Sequence, residues 1–191
     1  MKGNTRYNFP FGANYNFSEE RSKADKGCAV TLVVNSLEIH LGLQLDITLP
    51  KDCSEHLRSH EEGHRHIYEY FYDRFAESAA RKAAEEIFGK PVRAEAKNCK
   101  DAKDAAIALL NEKLGNVYRR LESDPAKNAN DFYDKLTDHG RFEKVDSMTA
   151  SEKAIKEFTT GNNGVEQASS ETQAPTSSDT ATPSSAASPG Q

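Results

Sequence analysis

Residues 37–49 read Leu37-Glu38-Ile39-His40-Leu41-Gly42-Leu43-Gln44-Leu45-Asp46-Ile47-Thr48-Leu49. Every odd position is aliphatic, and all the even ones except Gly42 are polar. Strict period two over thirteen residues is the mark of a strand with one buried and one wet face. Thirteen is long for a single strand, and Gly42 is the natural place for a bulge or bend. His40 falls on the wet face and reads as a solvated side chain rather than a ligand. Upstream, Cys28 to Val34 are strand formers and Asn35-Ser36 offers a turn before the alternation begins. Residues 1–26, rich in Asn, charge and aromatics (Tyr7, Phe9, Phe11, Tyr15, Phe17), predict no more than an arm or short strand.

Downstream the period changes. Pro50 ends the strand, and Asp52 with Glu55 three residues on has the form of a capping box opening a helix. Leu57, His60, Glu61, His64, Ile67, Tyr68, Phe71, Phe75 and Ala79 then recur at three- and four-residue steps until Gly89-Lys90-Pro91 stops them. A second helix is predicted from about Asn98 to Leu121, with Ala102, Ala106, Leu109, Leu110, Leu114, Val117 and Leu121 inward. Ser123-Asp124-Pro125 breaks it. A short segment around Phe132-Tyr133 follows, and Gly140 reads as a turn or cap. Thr149 and Glu152 form a second capping-box pattern, opening a short helix with Ile155 and Phe158 inward. The fold class is therefore α+β: a small antiparallel sheet from the N-terminal third packed on a long helix, with a second helix behind. Residues 27–159 form the domain. Residues 160–191, almost all Ser, Thr, Ala, Pro, Gln, Asn and Gly, lack the apolar area to offset ordering entropy and read as a disordered tail.

Composition agrees with one core. Of 191 residues, those up to Thr159 are about 40% apolar and those after it about 19%. The tail's only charges are Glu166, Glu171 and Asp179, so the body carries 25 basic against 27 acidic residues. That balance argues against a nucleic-acid partner, whose domain should be clearly basic on one face. No stretch approaches 18 consecutive apolar residues, so no membrane span is expected. The start, Met1-Lys2-Gly3-Asn4-Thr5-Arg6, has no apolar core of a signal peptide, which leaves a cytoplasmic chain or a mature secreted form. Three cysteines, Cys28, Cys53 and Cys99, fit no zinc-knuckle spacing; one disulfide with a spare thiol and three buried thiols are both open.

His60-Glu61-Glu62-Gly63-His64 is an H-E-x-x-H motif inside a segment read as helical on independent grounds. Residues four apart share a face, so the two imidazoles could grip one zinc ion with Glu61 to the same side. Zinc brings the pKa of bound water towards neutrality, and the neighbouring carboxylate takes its proton as it attacks a carbonyl. Such a motif arises in roughly 2% of random shuffles of this composition, so its placement carries the weight. His60 and His64 continue the inward stripe of Leu57, Ile67 and Phe71, where an unpartnered ring is costly. Two core histidines bonded to carbonyls are the alternative.

A catalytic zinc usually has three protein ligands. Glu77 and Glu85 lie roughly 20 and 32 Å along the helix from His64, so neither reaches. His56 and His64 are about 12 Å apart, His66 is on a different face, and both His56 and His66 read as surface residues. Ile67 and Tyr70 stand where an extended metzincin motif would carry its Gly and third His. His139, the one His beyond the helix, is the leading candidate, with Gly140 after it to allow a tight turn; Asp134, Asp138 and Glu95 stay open. Cys53, expected in the first helical turn with His56 three residues on, raises the idea of a Cys/His hydrolase, but no orienting group or oxyanion donor accompanies it, and a half-buried spare thiol fits better.

The order of Cys28, Ile47-Thr48-Leu49-Pro50, the H-E-x-x-H run, Cys99 and Tyr133-Asp134-x-x-Thr137-x-His139-Gly140 resembles the bacterial domain family of predicted secreted zinc-dependent proteases, from about residue 6 to 145. The resemblance implies a metallopeptidase-like site and picks out His139 within the Y-D-x-x-T-x-H-G block. It also implies a Cys28–Cys99 disulfide and an oxidising compartment, periplasmic or extracellular. An aromatic residue usual in that family soon after the strand's Pro is missing here; Cys53 lies in that region instead, and Trp is absent.

The resulting expectation is a zinc-dependent peptidase acting on a protein or peptide, with His60, His64 and His139 as ligands and Glu61 as general base. The rival is a zincin-like binding module of the cell envelope that cleaves nothing, since fold and motif do not separate the two.

Overall fold

The computed structural model describes residues 3–25 and 27–160. The tail expected from residue 160 lies, apart from Thr160, outside the described residues. The architecture is α+β, with antiparallel strands against helices. Strands β1 (Asn4–Asn8) and β4 (Gln44–Thr48) make one two-stranded sheet; β2 (Phe11–Ala24), β3 (Gly27–Leu41) and β5 (Pro91–Ala96) make a three-stranded sheet in the order β2-β3-β5.

The two sheets derive from one long hairpin that kinks. Phe11 faces Leu41 at the end of β2–β3, and Asn8 faces Gln44 at the start of β1–β4. Between them the Gly42 amide donates to the Pro10 carbonyl at 3.0 Å. A Cβ on Gly42 would stand 2.9 Å from Pro10 Cγ. The bend expected at Gly42 is therefore present, and Pro10 is its partner. The alternation of residues 37–49 is kept on both sides of it: Leu37, Ile39, Leu41, Leu45 and Ile47 are half-buried, while Glu38, His40, Gln44 and Asp46 are exposed.

Two expectations are corrected here. Within the first 26 residues, Asn4–Asn8 and Phe11–Ala24 form a full second arm of the hairpin, because Phe9, Phe11, Ala13, Tyr15 and Phe17 present a period-two face to the core. Asn35-Ser36 is no turn. The register passes from Asn16–Ser36 to Phe17–Val34, leaving Asn35 as the extra residue of a bulge within an unbroken β3.

Helix α1 (Glu55–Glu85) starts at Ser54, whose side chain accepts from the Leu57 amide at 3.1 Å, so Ser54 and not Asp52 is the cap. The stripe behaves as predicted: His60, Glu61, Ile67, Tyr68, Phe71, Phe75 and Ala79 are buried. Full burial of Ile67 and Phe71 is worth roughly 1.5–3 kcal/mol each. After Gly89 in the left-handed region the chain enters β5, a strand where only a connection was expected; Pro91 is tolerated because it opens an edge strand.

Helix α2 (Cys99–Tyr118) is capped by Asn98 and buries Ala102, Ala106, Leu110 and Leu114, while Leu109, expected inward, is exposed. The expected break at Ser123-Asp124-Pro125 does not occur. A π-helical turn, Arg119–Ser123, carries the chain into α3 (Asp124–Thr137), with Pro125 in the first turn of α3. Phe132 and Tyr133 thus belong to a helix. Helix α4 (Ser147–Thr159) is capped by Asp146, which accepts from the Thr149 amide at 2.8 Å, rather than by Thr149.

Cys28 on β3 and Cys99 at the start of α2 form a disulfide, Cα–Cα 5.0 Å, spanning 71 residues that include all of α1. Such a bond is consistent with an oxidising compartment. Cys53 is free and half-buried. Among the described residues no helix is long and apolar enough to cross a membrane.

Candidate metal centre

An open cleft of about 970 Å³ lies over the first half of α1. Its walls are the start of β1, the Asn130–Asp134 face of α3, and the turn at residues 138–141. At its floor His60 Nε2 stands 3.5 Å and His64 Nε2 3.3 Å from the same atom, Asp134 Oδ1. The three residues offer ligand atoms within 4.8 Å of one another. Ligand atoms on a tetrahedral ion at 2.0–2.1 Å are about 3.4 Å apart, so the spacing suits a small cation.

The donor chemistry suits one too. Asn130 Nδ2 donates to the Ala126 carbonyl at 3.0 Å, which turns Oδ1 towards His64 Nδ1 at 2.7 Å. His64 therefore donates from Nδ1 and presents an Nε2 lone pair to a carboxylate oxygen. Two acceptors face each other across 3.3 Å, an arrangement that either a proton or a cation must resolve. Where a proton resolves it, burial works to raise the Asp134 pKa, but hydrogen bonds from the His60 and His64 rings hold it well below the usual carboxylate range. His64 is the counterpart: burial alone would lower its pKa, yet Asp134 and Asn130 raise it.

The scaffold behind the pair is Tyr133. Its ring lies flat on His60, centroids 5.1 Å apart, and meets His64 edge-on at 4.9 Å. The Tyr133 hydroxyl donates to the His60 carbonyl at 3.0 Å, at a spot where a Cβ on Gly63 would collide with it. The Gly within H-E-x-x-H is thus what lets α3 come close. Thr137 Oγ1, wholly buried, donates to the Tyr133 carbonyl at 2.9 Å and fastens the end of α3.

Beyond α3 the backbone turns left-handed at Asp138, His139 and Gly140, with φ of 47°, 54° and 74°. For the first two residues this costs of order 1 kcal/mol or more each. A Cβ on Gly140 would lie 2.9 Å from the His60 ring, and the Gly140 carbonyl is 3.0 Å from His56 Nε2. His56, expected at the surface, is half-buried and ties this turn to α1.

The structure brings together His60, His64 and Glu61 as the motif predicts, but the third member of the group is Asp134, not His139. His139 Nδ1 lies 3.3 Å from Asp134 Oδ2, the outer oxygen, and its side chain is 67% exposed. It stands at the rim, one position removed from the cluster. The physical reason is helical phase: Asp134 is one turn on from Asn130 on the face of α3 that meets α1, whereas His139 lies past the helix end. Glu95 is on β5, away from the cleft lining, and Asp138 lines it without joining the group.

Sequence reasoning also missed Asn130 and Thr5. The Asn130–Asp134 spacing of four would expose the first once residues 124–137 are read as helix. No local signal points to the second. Thr5 Oγ1 donates to Glu61 Oε2 at 2.6 Å, and Glu61 is only 4% exposed.

Comparison with known protein families, with curated proteins and with solved structures finds no match to this chain.

Proposed function

We propose that the protein is a zinc-dependent peptidase whose metal is held by His60, His64 and Asp134. The observation that carries this reading is the convergence of both Nε2 atoms on Asp134 Oδ1, beside Glu61, in an open polar cleft. Zinc bound there would supply a Lewis acid that acidifies water and polarises a carbonyl. Asn130 fixes the tautomer of His64, and Tyr133 fixes the plane of His60. Glu61 is the general base for the attacking water, with Thr5 engaging its Oε2. His139, held by the outer oxygen of Asp134, orients that carboxylate from the rim. A peptide suits the site as substrate: β1 lines the cleft and is paired on one side only, with β4, among the described strands, so an extended chain could add along its other edge. The disulfide supports a periplasmic or extracellular setting.

A second reading, a metal-bearing binding module that cleaves nothing, is favoured by one observation: Glu61 is covered by β1. Turnover of a broad peptide library by the zinc-loaded protein separates the two. Cleavage by the wild type that is lost in Glu61→Gln with zinc content unchanged supports the peptidase. No cleavage by a wild type carrying one zinc favours the module.

A further inference from the structure

We infer that Thr5 and Gly3, on and just before β1, position the Glu61 carboxylate, one oxygen tied to the Thr5 hydroxyl and the other set against the Gly3 backbone. The inference rests on the peptidase reading above. Glu61 sits on α1, where its own helix offers the carboxylate no donor; the hydrogen bond it accepts comes from 56 residues away, Thr5 Oγ1 to Oε2 at 2.6 Å. The same hydroxyl lies 3.3 Å from the Glu61 carbonyl, and its single proton goes to the shorter contact, the carboxylate. The other oxygen, Oε1, faces Gly3. Any Cβ at residue 3 would fall on it and on Cδ. A side chain there would push the carboxylate out of this position, and glycine leaves room for it. One carboxylate thus has two unlike oxygens: Oε2 held by a short, charge-assisted bond from Thr5, Oε1 set against Gly3. The arrangement fixes a rotamer that an exposed glutamate would otherwise sample among several, and holding a base in its working geometry is where such restraint acts on rate.

β1 can do this because of the kink at Pro10 and Gly42. The bend separates β1 and β4 from the main sheet, and Tyr7 stacks on Tyr68 of α1 at 3.9 Å between centroids. That contact sets the strand against the helix two residues from Thr5. The N-terminal arm is therefore part of the site rather than an appendage to the sheet.

The test compares the zinc-loaded full chain as wild type, Thr5→Val, Thr5→Ser and Gly3→Ala. Thr5→Val keeps the shape and removes the donor; Thr5→Ser keeps the donor. With the fastest-cleaved member of a quenched-fluorescence peptide library as probe, kcat should fall about tenfold or more in Thr5→Val, with KM within about twofold. Thr5→Ser should recover most of it. Gly3→Ala should lose kcat with Thr5 intact. A readout apart from activity is the carboxylate itself: crystal structures should show Glu61 in one orientation in wild type and Thr5→Ser, and turned or disordered in Thr5→Val. Wild-type kcat in Thr5→Val, or a rise in kcat, would overturn the inference, the rise showing that β1 caps the base. A wild type without turnover would overturn the peptidase reading and the positioning role with it.

Discussion

Tyr133 and His60 are joined twice: their rings stack at 5.1 Å with 14° between planes, and the Tyr133 hydroxyl donates to the His60 carbonyl at 3.0 Å. The pair docks α3 on α1 and so places Asp134 over the two histidines. Burial pushes the Tyr133 pKa up to about 12, so the hydroxyl remains a donor at any ordinary pH. Because Gly63 leaves the room this hydroxyl needs, Gly63→Ala should destabilise the fold by about 2–4 kcal/mol, the cost of overpacking a tight contact. Tyr133→Phe should cost about 1–1.5 kcal/mol. The double variant should be less destabilised than the two losses added, since removing the hydroxyl relieves part of the clash; chemical denaturation of all three measures that coupling.

Asn130 is predicted to act on the metal through His64. Asn130→Ala removes the acceptor that sets the His64 tautomer, and zinc affinity should drop about 10- to 100-fold, the usual effect of losing such a partner. Competition with a chromophoric chelator reads this directly. Unchanged affinity would mean that His64 needs no orienting partner.

The disulfide closes a span of 71 residues. Replacing both Cys28 and Cys99 by Ser should cost about 4 kcal/mol by loop entropy, and the loss should appear in denaturant melts under non-reducing conditions. Reduction of the wild type should reproduce most of it, while Cys53→Ser should leave stability within about 0.5 kcal/mol.

Glu122, in the π-helical turn, is wholly buried, and its Oε1 has no partner among the described residues. Burial raises its pKa from 4.5 to about 7, against a hydrogen bond from Ser123 that lowers it. The folded state therefore binds a proton that the unfolded chain releases near 4.5. The stability this contributes is fully present below about pH 4.5 and is lost as pH rises through about 7, amounting to roughly 3 kcal/mol in all. Glu122→Gln should remove that slope, so its melting temperature relative to wild type should climb from pH 5 to pH 8. A constant difference across that range would show that Glu122 ionises freely in the fold.

The strand at 37–49 and the helix stripe from Leu57 to Ala79 were legible because each obeys one period over many residues, and burial of one face enforces it. The N-terminal arm carried the same signal, with Tyr7, Phe9, Phe11, Ala13, Tyr15 and Phe17 all at odd positions. Intervening Asn and Gly, poor strand formers, hid it. Helix α3 was masked by Pro125, which reads as a stop, since nothing local announces that a π-turn will carry the chain past it. Without α3 the phase that puts Asn130 and Asp134 on one face is invisible, which leaves His139 as the one His beyond α1. Thr5 and Glu61 meet only through the tertiary fold, across 56 residues. Half of the centre lay in one motif and was readable; the other half depends on how two helices and a kinked hairpin dock.

His60, His64 and Asp134, with His139 outside the set, are proposed to hold one zinc. Elemental analysis of the zinc-loaded, desalted protein as wild type, His60→Ala, His64→Ala, Asp134→Ala and His139→Ala tests it most directly. Near one zinc per chain is predicted for the wild type and His139→Ala, with most of it lost from the other three. Retention in Asp134→Ala together with loss from His139→Ala, or equal metal in all five, would contradict the account.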